Sequence, residues 1–176
     1  MPKLRVRYSI DTSAFIDGLE RYYPAAVFEG LWEAVEGLIG KGRLFASEEV
    51  WQEIKKKDEA AKVWMEPRRA GLFIPTDSAI TAKVSEMLGT FPRMVMSGGH
   101  RNRADPFVVA LAQVKGATVV TGEGNDGSEN RPKIPYVCRQ LGIPCLRFTE
   151  LIAAEHWTFG LANATQPVGQ LTLQAL

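Results

Sequence analysis

Apolar and polar positions alternate at the start of the chain. Leu4, Val6, Tyr8 and Ile10 interleave with Arg5, Arg7 and Ser9. A period of two over residues 4–10 predicts a β-strand, and the run stops at Asp11. The period then changes. Val27, Leu31, Val35 and Leu38 recur near helical spacing, with Phe28, Trp32 and Ile39 widening the face. This predicts a helix over residues 24–39, ended by Gly40 and Gly42. Leu44, Phe45 and Ala46 form an apolar run too short for a helix, so a strand is expected. Ser47 is placed to cap the next helix. Glu48 and Glu49 lie in its first turn, where the helix dipole favours acids, and Val50, Trp51 and Ile54 supply its buried face.

Pro67 and Gly71 interrupt the chain. A short strand is expected over 72–75, then a helix from Thr76 or Asp77 to about residue 88. Residues 94–103 read as a polar, basic loop. Asp105-Pro106 opens an apolar helix over 107–114, closed by Gly116, and a buried strand over 117–120 ends at Thr121. A second loop, 122–132, is rich in Gly, Asn and acids. A helix over 134–141 carries Pro135 in its first turn and stops at Gly142. A strand over 144–148 and a helix over 149–157, capped by Thr149, complete the periodic part. Short apolar strands alternating with helices predict a three-layer α/β/α fold with a mostly parallel sheet. The expected domain is 1–158, with 159–176 as a C-terminal tail.

Composition narrows this picture only slightly. With 176 residues the chain suits one domain and needs no disulfide or metal to fold. A net charge of +1 does not announce a nucleic-acid binder, but it can conceal a basic stripe around an acidic pocket. Cys138 and Cys145 form no CxxC motif and read as buried thiols of a reducing compartment. No apolar run reaches membrane-spanning length and no leader pattern is visible, so a cytoplasmic protein is expected.

The acids carry the chemistry. In open parallel sheets ligands gather at the carboxyl ends of the strands. Asp11 ends the first strand, Asp105 opens the central helix, Glu123 follows the strand after it, and Glu53 lies on a helix that starts at a strand end. Singly, each has a structural explanation: a turn for Asp11, a helix cap for Asp105, an i,i+4 pair with Lys57 for Glu53, a loop charge for Glu123. Together they define a cluster whose mutual repulsion a cation would relieve. An oxygen-only set without His or Cys suits Mg²⁺ or Mn²⁺, and the matching chemistry is phosphodiester hydrolysis.

The motifs IDTS (10–13), VWQE (50–53), ADPFVVALA (104–112) and VVTGE (119–123) resemble the PIN-domain family in order and spacing. The resemblance covers about residues 4–152, and the segment 133–143 looks like a less-described PIN-like subgroup. It implies an α/β/α nuclease that binds Mg²⁺ or Mn²⁺ and cuts RNA, and a likeness to VapC-type toxins of toxin–antitoxin pairs. Residue by residue, it makes Asp11, Glu53, Asp105 and Glu123 metal ligands. Glu123 stands where many members carry aspartate, with Asp126 as its rival, and Ser13 would orient a metal-bound water. It also implies an antitoxin protein covering the pocket, and a homodimer.

RNA needs cations beside such a pocket. Arg101 and Arg103 precede Asp105, and Arg131 and Lys133 follow Glu123; each is equally well a solvated loop charge. His100 reads as a loop residue, and Trp32, Trp51 and Trp64 as core or interface. Two alternatives stand beside the nuclease. A haloacid-dehalogenase-type phosphatase needs a second acid two residues after the first, where this chain has Ser13. A PIN-like module that binds RNA or protein with weakened catalysis would fit the replacement at Glu123.

Overall fold

The computed structural model describes residues 5–57, 59–96, 103–124 and 127–159. The chain begins with β1, Tyr8–Ile10, and α1, Thr12–Ile16, which continues into a π-helical stretch, Asp17–Tyr22. Next come α2, Glu29–Gly40, then β2, Leu44–Ser47, and α3, Glu48–Lys57. α4 is Glu59–Met65; a short 3₁₀ turn, Glu66–Arg68, joins it to α5, Arg69–Leu72, and β3 is Phe73–Ile74. α6 is Ser78–Thr90, α7 is Arg93–Met96, α8 is Asp105–Lys115 and β4 is Thr118–Val120. A small hairpin, β5 (Gly127–Ser128) and β6 (Arg131–Pro132), precedes α9, Ile134–Leu141. β7, Cys145–Leu146, and α10, Phe148–Ala154, follow.

Among the described residues, five strands form one sheet in the order β3-β2-β1-β4-β7, and every pairing in it is parallel. Helices cover both faces, as the sequence predicts, giving a three-layer α/β/α fold. Chain order runs outward from β1 to β2 and β3 on one side, and from β4 to β7 on the other. The reversal point therefore lies at β1 and β4, whose carboxyl ends leave a crevice.

The two faces of β1 show why the layers form. Tyr8 points toward α10, where its hydroxyl donates to Glu155 at 2.6 Å. Ser9 points the other way and donates to the Val108 carbonyl of α8 at 2.8 Å. Residues 4–10 alternate apolar and polar positions, yet Tyr8, Ser9 and Ile10 are all buried. A central strand of a parallel sheet is covered on both sides, and Ser9 meets that demand with a hydrogen bond. The strand is also shorter than expected: residues 5–7 precede it, and Val6 is exposed.

α8 supplies the core of one layer through Val108, Val109, Leu111 and Ala112 and ends on Gly116, whose φ of 59° lets the chain turn left-handed into β4. The opposite layer is aromatic. Trp32 lies 4.9 Å from Trp64 and 5.6 Å from Phe148, and Phe15 lies 6.4 Å from Trp64, ring centre to ring centre. Trp32 is thus core, and Trp51 is fully buried against Phe73, while the half-buried Trp64 packs against the core.

Several boundaries shift for identifiable reasons. The helix expected from residue 24 begins at Glu29, because the Pro24 carbonyl accepts from both Val27 and Phe28 in a turn. Val27 is consequently 73% exposed rather than part of the buried face. The helical segment 12–22 and the hairpin in loop 122–132 were not expected. Ser47 sits at the cap position of α3, but its buried hydroxyl makes no hydrogen bond. Asp77 does cap α6, accepting from the Ile80 N–H at 2.9 Å. The last helix starts at Phe148, one residue before the expected Thr149 cap. Cys138 is buried as expected, whereas Cys145 is only half-buried, and both are free thiols.

Candidate metal centre at the carboxyl end of the sheet

Asp11 stands at the reversal point. Its backbone N–H donates to the Val120 carbonyl at 2.8 Å, which extends the β1–β4 pairing by one step and fixes the carboxylate over the end of the sheet. The residue is 3% exposed. One carboxylate oxygen, Oδ2, accepts from the Ser13 hydroxyl at 2.5 Å and from the Thr121 hydroxyl at 3.0 Å. Burial pushes the Asp11 carboxyl above the ordinary range; the two hydroxyls pull against that, and the charge of Glu53 adds to it.

The loop after β4 closes onto α1. The Gly122 N–H donates to Ser13 Oγ at 2.9 Å, so the Ser13 hydroxyl links the two strand ends. A Cβ at Gly122 would stand 2.7 Å from the Asp17 carboxylate and 3.0 Å from the Ser13 backbone, so glycine is required by close approach. Glu123 follows. Its Oε2 accepts from the Ile134 N–H at the start of α9 at 2.8 Å, and Lys133 Nζ lies 4.0 Å from its Oε1. Burial raises the Glu123 carboxyl most. The Ile134 hydrogen bond and Lys133 oppose this, while the charge of Asp11 reinforces it.

Glu53 reaches in from the second turn of α3. Its Oε2 accepts from the Thr12 hydroxyl at 3.1 Å and its Oε1 from the Ala104 N–H at 3.2 Å. It therefore ties the start of α1 to the start of α8, a structural role that the expected pairing with Lys57 did not anticipate. Asp105 is the first residue of α8 rather than its cap, a position held by Ala104, and is 8% exposed. All four predicted acids thus occupy the carboxyl end of the sheet. Arg103 is exposed two residues before Asp105, Arg131 is exposed on β6, and Lys133 is half-buried beside Glu123. Arg101, His100 and Asp126 lie outside the described residues. The roles of Thr12, Thr121 and Gly122 were missed. The hydroxyl doublet after Asp11 and the Thr-Gly pair after β4 were their sequence signals.

Among the described residues, no three His, Cys, Asp or Glu side chains converge closely enough to hold a metal ion. The donor chemistry nevertheless suits Mg²⁺ or Mn²⁺. These ions keep several waters and are commonly bound through one or two carboxylates, and Asp11 is a buried carboxylate whose near neighbours are hydroxyls and further carboxylates.

A doubly covered parallel sheet with buried acids at its reversal point places the protein among α/β/α folds whose ligands sit at strand ends. The chain belongs to the DUF4411 family, a domain of unknown function, which matches residues 8–159. No curated protein matches it. Among the described residues no helix is long and apolar enough to cross a membrane.

Proposed function

We propose that the protein is a Mg²⁺- or Mn²⁺-dependent ribonuclease of PIN type. The observation that carries this reading is Asp11: a buried carboxylate at the β1–β4 reversal point, held by two hydroxyls and raised by burial and by the charge of a second acid. Asp11 would hold the ion together with one or two of Glu53, Asp105 and Glu123, which lie at the same end of the sheet, and waters would complete its shell. When bound, the ion supplies an activated water and charge stabilisation for phosphodiester hydrolysis. Ser13 and Thr121 orient the Asp11 carboxylate. Glu53 keeps the starts of α1 and α8 in register, which positions Asp105. Arg103, Arg131 and Lys133 bring positive charge to the rim, where a polyanionic strand needs it.

The toxin of a toxin–antitoxin pair is the cellular role we favour, with a small antitoxin protein covering the pocket. A second reading is a PIN-like module that binds RNA or protein without cutting. It is favoured by the engagement of both Glu53 oxygens with Thr12 and Ala104. Calorimetric Mn²⁺ titration and cleavage of a mixed RNA pool separate the two. The nuclease reading expects Asp11→Asn to abolish metal binding and cleavage together. Cleavage by the variant at the wild-type rate would sink it, and RNA binding without metal binding would favour the module.

A further inference from the structure

A cavity of about 380 Å³ opens beside the acid cluster, between the loop after β4, α9 and the start of α10. It shares Thr121 and Glu123 with the cluster and continues away from it to Arg139, Cys145, Arg147 and Glu150. Its size falls in the range that encloses one small ligand. Two carboxylates and two guanidinium groups lie on its wall. Glu123 accepts from the Ile134 N–H at 2.8 Å, and Glu150 accepts from the Arg147 backbone N–H at 2.7 Å, so both carboxylates are drawn onto backbone donors. Arg139, Arg147 and Glu150 are exposed. Arg147 gives one of its five N–H donors to the Gly124 carbonyl at 3.0 Å, and Arg139 lies 5.5 Å from the centre of the Tyr136 ring. Ile143 and Leu146 give the same cavity an apolar wall. Two guanidinium groups and an apolar wall, next to a candidate phosphodiester-cutting centre, match a phosphate joined to an unstacked base.

We propose that this cavity is a subsite for one unpaired ribonucleotide of the bound strand, with Arg139 and Arg147 on its phosphate and Ile143 and Leu146 against its base. The assignment rests on the ribonuclease reading for the identity of the strand, but its test does not require cleavage. Cys145 lines the cavity and is half-buried, whereas Cys138 is buried outside it, so Cys145 reports occupancy. The whole protein, in chelator and without metal, is alkylated with iodoacetamide. The additions are each ribonucleoside 5′-monophosphate, the matching unphosphorylated nucleosides, or inorganic phosphate.

Protection should follow one plus the ratio of ligand to Kd, so about fivefold slowing is expected at roughly four times Kd. Nucleosides and phosphate at equal concentration should protect far less. Arg139→Ala should raise the half-protecting concentration about tenfold or more, as loss of a charge-assisted contact does. Arg147→Lys, which keeps the charge and leaves the loop its donor, should give a smaller shift. Equilibrium dialysis of radiolabelled nucleotide against the same variants decides the matter independently of thiol reactivity. No nucleotide binding, or equal binding by wild type and Arg139→Ala, overturns the subsite. Cleavage by the wild type in Mn²⁺ is scored separately. Cleavage without nucleotide binding removes the subsite alone, and nucleotide binding without cleavage removes the ribonuclease reading alone.

Discussion

The two ends of the sheet treat a carboxylate in opposite ways. At the amino end, Glu155 meets the Arg43 guanidinium in a two-pronged pair, with contacts of 2.8 and 2.5 Å, and also accepts from the Tyr8 hydroxyl. Burial alone would raise the Glu155 carboxyl, but these hydrogen bonds and the Arg43 charge carry it below the ordinary range. Burial and the Glu155 contact push the Tyr8 hydroxyl up, so it stays a donor. At the carboxyl end, Asp11 is met by hydroxyls and by the charge of another acid, and it goes the other way. The first arrangement is self-sufficient and locks β1, β2 and α10 together. In the second, hydroxyls and another acid rather than a cation face the carboxylate, an arrangement that marks a candidate functional site.

The largest expected effect tests the proposed function at the carboxyl end. Asp11→Asn keeps the shape and removes the charge, and should lower Mn²⁺-dependent RNA cleavage by about 10²–10³-fold, the usual loss for one preorganised electrostatic group. Gel assay of a labelled RNA checks this, with near-UV circular dichroism showing that the fold persists. At the structural end, Arg43→Ala leaves the half-buried Glu155 without its cation. It should cost about 1.5–3 kcal/mol, the range for a hydrogen bond to a charged group, or a fall in Tm of roughly 3–12 °C. Cleavage per folded molecule should stay unchanged. A cleavage defect larger than the stability defect would show that the two ends are not separable.

Gly122→Ala tests how tightly the loop after β4 is pressed on α1. The added methyl would meet the Asp17 carboxylate and the Ser13 backbone, and overpacking of this kind costs about 1–3 kcal/mol. Urea denaturation measures the cost, and a neutral effect would mean that the loop yields.

The smallest expected effect sharpens the contrast through pH. A carboxyl raised on folding holds its proton more tightly in the native state. Its stabilising contribution is therefore complete below the unfolded pKa and is lost as pH rises through the folded one. Asp11 and Glu123 should thus make the metal-free protein less stable as pH climbs past the ordinary carboxylate range. Glu155, lowered on folding, contributes above its unfolded pKa, and that contribution is lost as pH falls through its folded pKa. Denaturation curves across pH 3–8 should therefore flatten on the alkaline side in Asp11→Asn and on the acid side in Glu155→Gln. The same acid-side slope in Glu155→Gln as in wild type would remove the pair from this account.

Much of the fold was legible because its signals are local. Helical spacing from Leu31 to Ile39, the Asp77 cap, Asp105-Pro106 at the start of α8 and the glycines after α8 and α9 each act within a few residues. The four acids were legible as strand-end and helix-start positions in a parallel sheet. Their partners were not. Glu53 bridges Thr12, 41 positions away, and Ala104, 51 positions away. Thr121 reaches Asp11 across 110 positions. The need for glycine at residue 122 arises from a turn more than a hundred residues earlier, which no local pattern records.

The sequence by itself determined the order of strands and helices, the parallel α/β class and the placement of acids at strand ends. Periodicity and caps are properties of short segments, so the chain carries them before it folds. Only the tertiary structure decided that Ser9 is buried under α8, that Ser13 and Thr121 share one oxygen of Asp11, and that Arg43 offsets Glu155 while hydroxyls meet Asp11. Those outcomes depend on which segments the sheet brings side by side and how much water they exclude. The partners that the fold brings up make one carboxylate part of a lock and the other a candidate ligand for a metal ion.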